Sequence, residues 1–398
     1  MRRLMRNLSL FIVMAGVTLL YSTDVSANDN LTKTLIQIEK KRVITQADQF
    51  MDEGPITISA HVAERSAGGI HDFYSEGDYW WPDPDQPDGL PYIRKDGMTN
   101  PEIFVKHRQV MRRFSIHVGA LVSAYVITGK NEYANKAIEH LRAWFVTDST
   151  MMNPNLNYAQ AIPGRTKGRG VGIIDTIHLI EIARAISILE NRGELNYTDA
   201  IGIKRWFASY LDWLTTSVNG IDEMERENNH GTWWVAQVAE FGRLIDSTPV
   251  LEFCRERYKS VLLPNQVSPE GKFPLELERT KPYNYSLFNF DGLALICHIA
   301  STPEDNLWTY ETESGAGMKN VVEFLYPFIK DKSNWPYEPD VMYFDEWPMR
   351  QPGLLFAGLA YDREKYIELW KQLPAEPETQ EGIRNFPIRY PLLWVNTN

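Results

Sequence analysis

The stretch "PEIFVKHRQVMRRFSIHVGALVSAYVITG", residues 101–129, decides the fold. Its apolar residues recur at three- and four-residue spacing, the period of an amphipathic helix. Pro101 suits a first helical turn, where a missing N–H costs nothing. Gly129 stops the helix. "NEYANKAIEHLRAWFV", residues 131–146, follows at once with the same period. The two segments predict an antiparallel helical hairpin.

Working outward, the same period predicts helices over residues 31–50, 172–190, 197–218, 230–245, 249–263, 287–301, 317–331 and 363–374. No long alternating strand run is present, so the class is all-α. Three irregular stretches interrupt the helices: residues 53–100, 153–170 and 268–286. Loops this long in a compact domain are usually functional. No fixed-length repeat marks a solenoid, and no linker divides two cores. The expectation is one (α/α) toroid over residues 28–398, a closed or incomplete barrel of helix hairpins, with the long loops around a central cleft.

Residues 1–27 have the three parts of an export leader. Arg2, Arg3 and Arg6 precede an apolar run from Leu8 to Tyr21, and Val25-Ser26-Ala27 offers a cleavage site. The apolar run is shorter than the roughly 20 residues of a spanning helix. A cleaved signal peptide and a periplasmic or secreted protein are expected, with no stable membrane insertion afterwards. Losing three positive charges and one negative takes the formal net charge from −11 to −13. That balance argues against nucleic acid as a partner. It also means that a bound anion must be held by local cations. Cys254 and Cys297 are the only cysteines; they are too few for a structural zinc site, and either a disulfide or two buried thiols fits them.

The chemistry lies in the loops. "ENNHGTWW", residues 227–234, crowds two amides and an imidazole into a helix start. One Asn serves as the cap. Asn229 and His230 remain as candidates for binding, at a helix end whose N–H groups favour an anion. "ELERTKPYNYSLFN", residues 276–289, holds Arg279, Lys281, Tyr283 and Tyr285. A guanidinium within reach of a Tyr hydroxyl lowers its pKa and makes it a better base. "GRTKGRG", residues 164–170, offers Arg165, Lys167 and Arg169 as a carboxylate clamp, with Tyr158 and Gln160 just upstream. "DYWWPDPDQPDGLPYIRKDG", residues 78–97, presents Tyr79, Trp80 and Trp81 as stacking surface with Arg94 at its edge. His71 and Tyr74 extend that rim. The chain has 12 Trp, 19 Tyr and 17 Phe, and aromatic faces suit both cores and sugar rings. Neither HExxH nor GxSxG occurs, so neither that zinc motif nor a serine nucleophile elbow is predicted.

Four segments together resemble the alginate lyase superfamily of polysaccharide lyases. They are "YWWPDPDQPDGLPYIRKDG" with the following "NPE", "NYAQAIPG", "NNHGTWW" and "ELERTKPYNYSLFNF". The likeness is greatest to polysaccharide lyase family 38 and more distant to family 5, both (α/α) toroids. It implies catalytic roles for Asn229, His230, Arg279 and Tyr285. Substrate contacts are then expected from His71, Tyr79, Trp80, Arg94, Tyr158, Gln160, Arg169 and Trp234. Family 5 has one more residue between its Arg and Tyr than this chain, which leaves Tyr283 as a competitor for Tyr285. The implied reaction is β-elimination of a 1,4-linked polyuronate by a monomer without cofactor or metal. Mannuronate-rich alginate is the preferred substrate and glucuronan the second. Two other readings stand beside it. An inverting glycoside hydrolase would need two carboxylates about 6.5–9.5 Å apart, from among Glu227, Glu276, Glu278 and Asp291. A carbohydrate-binding protein would need no catalytic set.

Overall fold

The computed structural model describes residues 31–395. The predicted leader, residues 1–27, lies outside them. Helix α1 covers residues 31–50 and buries Leu35, Glu39, Val43 and Ala47, one per turn. Then follow α2 (Lys106–Thr128), α3 (Asn131–Phe145), α4 (Leu179–Asn191), α5 (Tyr197–Thr216), α6 (Val218–Met224), α7 (Asn229–Leu244) and α8 (Thr248–Arg257). Two short helices, α9 (Leu263–Gln266) and α10 (Pro274–Leu277), lead to α11 (Pro282–Ala300) and α12 (Met318–Lys330). The chain ends with α13 (Pro352–Ala360), α14 (Glu364–Gln372), α15 (Gln380–Arg384) and α16 (Leu392–Val395). The strands are minor: β1 (Tyr74–Glu76) pairs parallel with β4 (Tyr158–Ala161), and β2 (Trp80–Trp81) antiparallel with β3 (Ile93–Arg94).

The quoted hairpin is α2 and α3. Gly129 adopts φ 69° and its N–H bonds the Tyr125 carbonyl, the left-handed stop that glycine permits. Helices α2, α4, α7, α11 and α13 pack each on the next and form the inner wall. Helices α3, α5, α8, α12 and α14 pack outside them. This is an (α/α) toroid. Its two end helices, α13 and α2, are tied through α1 and the C-terminal tail. Phe50 of α1 stacks on His117 of α2 at 3.9 Å. Arg350, just before α13, pairs with Glu39 of α1 at 2.5 Å. Tyr390 of the tail donates to the Ile116 carbonyl of α2 and packs against Gly119, where a Cβ would come within 2.3 Å of the ring.

Several details differ from the periodicity reading. Pro101, expected in the first helical turn, stands in a turn ahead of α2, which starts at Lys106. The third irregular stretch was expected to run to Ser286, but α11 starts at Pro282, so Tyr283 and Tyr285 stand on a helical turn. The segment before α4 is a 3-10 turn, Gly170–Thr176, rather than helix. Helix α13 has no polar face because inner and outer helices both cover it, and a helix without a polar face has no period to read. Cys254 and Cys297 are both buried free thiols.

Candidate active site

Each long irregular stretch precedes an inner helix, and this brings the loops to one end of the toroid. Residues 53–105 lead into α2, residues 146–178 into α4, and residues 267–281 into α11. There they surround a cleft of about 590 Å³, within the ~300–1,000 Å³ usual for ligand sites. Tyr79, Trp80, Arg94, Gln160, Arg169, Asn229, His230, Arg279 and Tyr285 all line it.

The helix start at α7 is built around two local devices. Asn228 is the cap, its side chain accepting from the His230 N–H. At Gly231 a Cβ would lie 2.1 Å from the Arg226 carbonyl oxygen, so only glycine lets the preceding turn fold under the helix. His230 is then fixed from behind. Its Nδ1 lies 2.6 Å from Oε1 of Glu223, a fully buried carboxylate on α6. Nδ1 donates to that carboxylate, and Nε2 is the nitrogen left for the cleft. Asn229 is tied differently. Its N–H donates to Glu276 at 2.7 Å, and its Nδ2 reaches both Glu276 oxygens at 2.8 and 2.9 Å. Burial raises the Glu276 pKa, and the Asn229 bonds oppose that. The amide donors of Asn229 are thus engaged within the protein, and donation to a ligand requires sharing that bond.

Tyr285 and Tyr283 part company on the first turn of α11. Tyr283 is fully buried, and its hydroxyl donates to the Phe328 carbonyl at 3.0 Å. Tyr285 faces the cleft, and its hydroxyl lies 2.8 Å from that of Tyr79. The Arg279 guanidinium stands over the Tyr285 ring, 4.6 Å from its centre. Asp96 holds that guanidinium at 3.2 Å and is itself bonded by Thr280 and Arg94. Burial pushes the Tyr285 phenol well above its ordinary pKa, Tyr79 adds to this, and Arg279 pulls the other way. Burial is the larger effect, so the phenol is neutral at pH 7.

Arginines line the cleft throughout, but most are paired. Arg94 and Arg279 bind Asp96, Arg226 binds Asp222, and Arg384 binds Asp78 and Glu381. Arg169 has no ion pair among the described residues. It donates to the Gln160 carbonyl at 3.1 Å and the Gln160 amide oxygen at 2.8 Å. Burial lowers its pKa to about 10, which leaves it cationic at neutral pH. Gln160 itself is strained, a non-glycine residue at φ 48°. The Arg165 and Arg169 guanidinium groups lie 5.2 and 5.9 Å from the Trp80 ring centre.

Three predicted contacts lie elsewhere. Trp234 is fully buried against Phe253, because its helix turns that face to the core. His71 uses Nδ1 on the Met151 carbonyl. Tyr158 covers Gly68, where a Cβ would come within 2.5 Å of its ring. None of the three lines the cleft. Sequence reading also missed residues that matter. Glu223, which holds His230, is an isolated acid in a helix and carries no motif, and Glu276, read only as a hydrolase carboxylate, holds Asn229. Arg384 and Asn385 reach the cleft from the C-terminal tail. Of the four carboxylates considered for a glycoside hydrolase, only Glu227 lines the cleft. Asp291, for instance, is buried against Gln351 and the Gly353 N–H.

The sequence profile of the alginate lyase family matches residues 57–335. A crystal structure of an alginate lyase from Bacteroides ovatus is 30% identical, with a TM-score of 0.80 over 94% of this chain and 97% of that one. Alginate lyase A1-III from Sphingomonas species A1 is 15% identical, with a TM-score of 0.55 over 88% of this chain and 94% of that one. A substituted form of A1-III in complex with a tetrasaccharide is 16% identical, with a TM-score of 0.55 over 88% of this chain and 93% of that one. The two A1-III likenesses speak for the fold alone. No curated protein sequence matches significantly. The profile spans more than half of the chain and the B. ovatus enzyme nearly all of it, and on that ground the chain belongs to the alginate lyase family of polysaccharide lyases.

Proposed function

We propose that this lyase cleaves 1,4-linked polyuronates, mannuronate-rich alginate first, by β-elimination with Tyr285 as base and acid. The observation that carries the reading is Arg169, the cleft guanidinium without an acidic partner among the described residues, in the same cleft as the Tyr285 hydroxyl. An unpaired cation there suits an anionic sugar, and a guanidinium binds a carboxylate through two parallel bonds.

The uronate C5 proton is weakly acidic, because removing it builds negative charge onto the adjacent carboxylate. Arg169, Arg279 and His230 offer the compensating donors. Such preorganised donors lower the barrier most where charge develops. Tyr285 must first lose its own proton. Tyr79 can then donate to the tyrosinate across their 2.8 Å contact, and a hydrogen bond to the charged form favours it. The tyrosinate takes the C5 proton. The C5 electron pair forms the C4=C5 bond, the C4–O4 bond breaks, and the Tyr285 hydroxyl returns the proton to O4. In β-D-mannuronate and β-D-glucuronate, H5 and O4 share a face, so one Tyr serves both steps. In α-L-guluronate they lie on opposite faces, and Nε2 of His230, oriented by Glu223, is the candidate base.

The enzyme is exported after loss of residues 1–27 and works as a monomer; an intact mass including those residues would rule out processing. The decisive assay is a panel of polymannuronate, polyguluronate, glucuronan and hyaluronan. Appearance of the ultraviolet-absorbing unsaturated end on polymannuronate supports the reading. Cleavage of hyaluronan alone overturns it.

A further inference from the structure

From the cleft lining, where Asp78 and half-buried Arg384 stand, runs a chain of charges whose signs alternate. Lys281 binds Glu381 at 3.0 Å, Glu381 binds Arg384 at 3.2 Å, and Arg384 binds Asp78 at 2.9 Å. Asp78 binds Arg108 at 2.7 Å, and Arg108 binds Asp175 at 2.9 Å. The three cations and three carboxylates balance. The chain ends on a cation, and that end is at the tyrosine pair. Lys281 is wholly buried, and its Nζ stands 5.4 Å from the ring centre of Tyr79. Tyr79 shares a hydrogen bond with Tyr285.

Isolated buried lysines are rare and expensive. Glu381 explains why this one keeps its charge, but not why the charge is placed under Tyr79. We propose that Lys281 holds the negative charge of the Tyr79–Tyr285 pair once it has lost a proton, which makes Lys281 a positioning residue for the elimination. The next charge in the alternation after Lys281 is then the tyrosinate. The inference rests on Tyr285 being the base.

The other charges around the pair are accounted for. Arg279 faces Tyr285 with Asp96 behind it. Arg384 approaches Tyr79 from α15 but already serves two carboxylates. Asp340 is taken up by the N–H groups of Tyr283 and Asn284. His230 shares the cleft and is held by Glu223, and the Tyr343 ring closes the other side of Lys281 at 5.0 Å. Among the described residues Lys281 makes its ion pair with Glu381, and its charge also acts on the Asp340 carboxyl.

The test is the pH dependence of kcat/KM on polymannuronate, which reports ionisations of the free enzyme. The active form has lost a proton, so activity rises with pH. Removing the cation raises the pair's pKa. In Lys281→Met the rising limb should move up by about one pH unit, a roughly tenfold loss below it, with recovery at higher pH. Lys281→Arg should restore the limb. Removing the anion frees the cation, so Glu381→Gln should move the limb down. A salt bridge that only supports the fold predicts losses at every pH in both variants, without opposite shifts. If Lys281→Met does not fold, Lys281→Gln, which keeps a polar donor to Glu381 without the charge, decides: an unmoved or lowered limb overturns the proposal. Tyr285→Phe in parallel separates the two ideas. If it stays active, the base is misassigned. If it is dead while both limbs stay put, only the role of Lys281 falls.

Discussion

Two tyrosines two residues apart show how a single helical turn assigns chemistry. Tyr283 and Tyr285 differ by roughly 200° around α11, so one faces the core and one the cleft. Tyr285→Phe should lower kcat by about 10²–10⁴, the usual weight of a general acid–base group, with thermal stability kept. Tyr283→Phe should do the reverse. It removes the 3.0 Å donor from the half-buried Phe328 carbonyl, costing about 0.5–1.5 kcal/mol of stability, with kcat nearly unchanged. Steady-state rates and urea midpoints on both variants check this; a dead Tyr283→Phe with normal stability would contradict the assignment. The resemblance favoured Tyr285, but the one-residue difference in spacing kept Tyr283 as a competitor, since spacing does not say where a helix begins. The sequence also offered Trp234 as a wall of the site. A Trp beside a catalytic His reads the same whether its ring points to sugar or to core.

At the scale of elements, what was legible followed from contrast between faces. Helices α3, α5 and α14 each have a wet side, and their periods gave them away. Helix α13 has none, and α15 and α16 are too short to show a period. The start of α7 was legible as a cap but not as a buttress. Its cap Asn228 was one of two candidates, while nothing in the sequence tied the glycine after His230 to the fold. The structure supplies the tie: the Arg226 carbonyl lies where a Cβ would go. Gly231→Ala should therefore shift the turn that carries Glu223 relative to His230. Overpacking of this kind costs about 1–3 kcal/mol. Activity should fall further than stability alone accounts for, because the 2.6 Å Glu223 contact sets which His230 nitrogen faces the cleft. Measuring kcat/KM at a temperature where the variant is fully folded isolates that second effect. Wild-type activity there would show that the turn adapts without moving the imidazole.

For the whole molecule, the toroid was readable but its closure was not. Pairing of helices is local in sequence, whereas α1 and the tail meet the ring from opposite ends of the chain. The tail does two jobs at two ends. Near the cleft it contributes Arg384 and Asn385. Further on, Trp394 lies among α4, α11 and α13. The Arg184 guanidinium stands 5.5 Å from its ring centre, Phe356 lies 6.0 Å away, and His298 bonds its carbonyl at 3.1 Å. His298 belongs to the last turns of α11, and Tyr285 to the first. The two ends of that helix are about 20 Å apart at 1.5 Å per residue. Anchor and chemistry are therefore separable. Trp394→Ala should cost about 3–5 kcal/mol, as for a buried Trp cut to Ala. Well below its melting temperature, kcat/KM should stay within about twofold of wild type, because distant, independent sites act additively. Denaturant titration gives the first quantity and initial rates the second. If the rate falls by tenfold or more while the protein remains folded, the tail transmits its anchoring to α15 and the cleft, and the two ends of the ring are coupled.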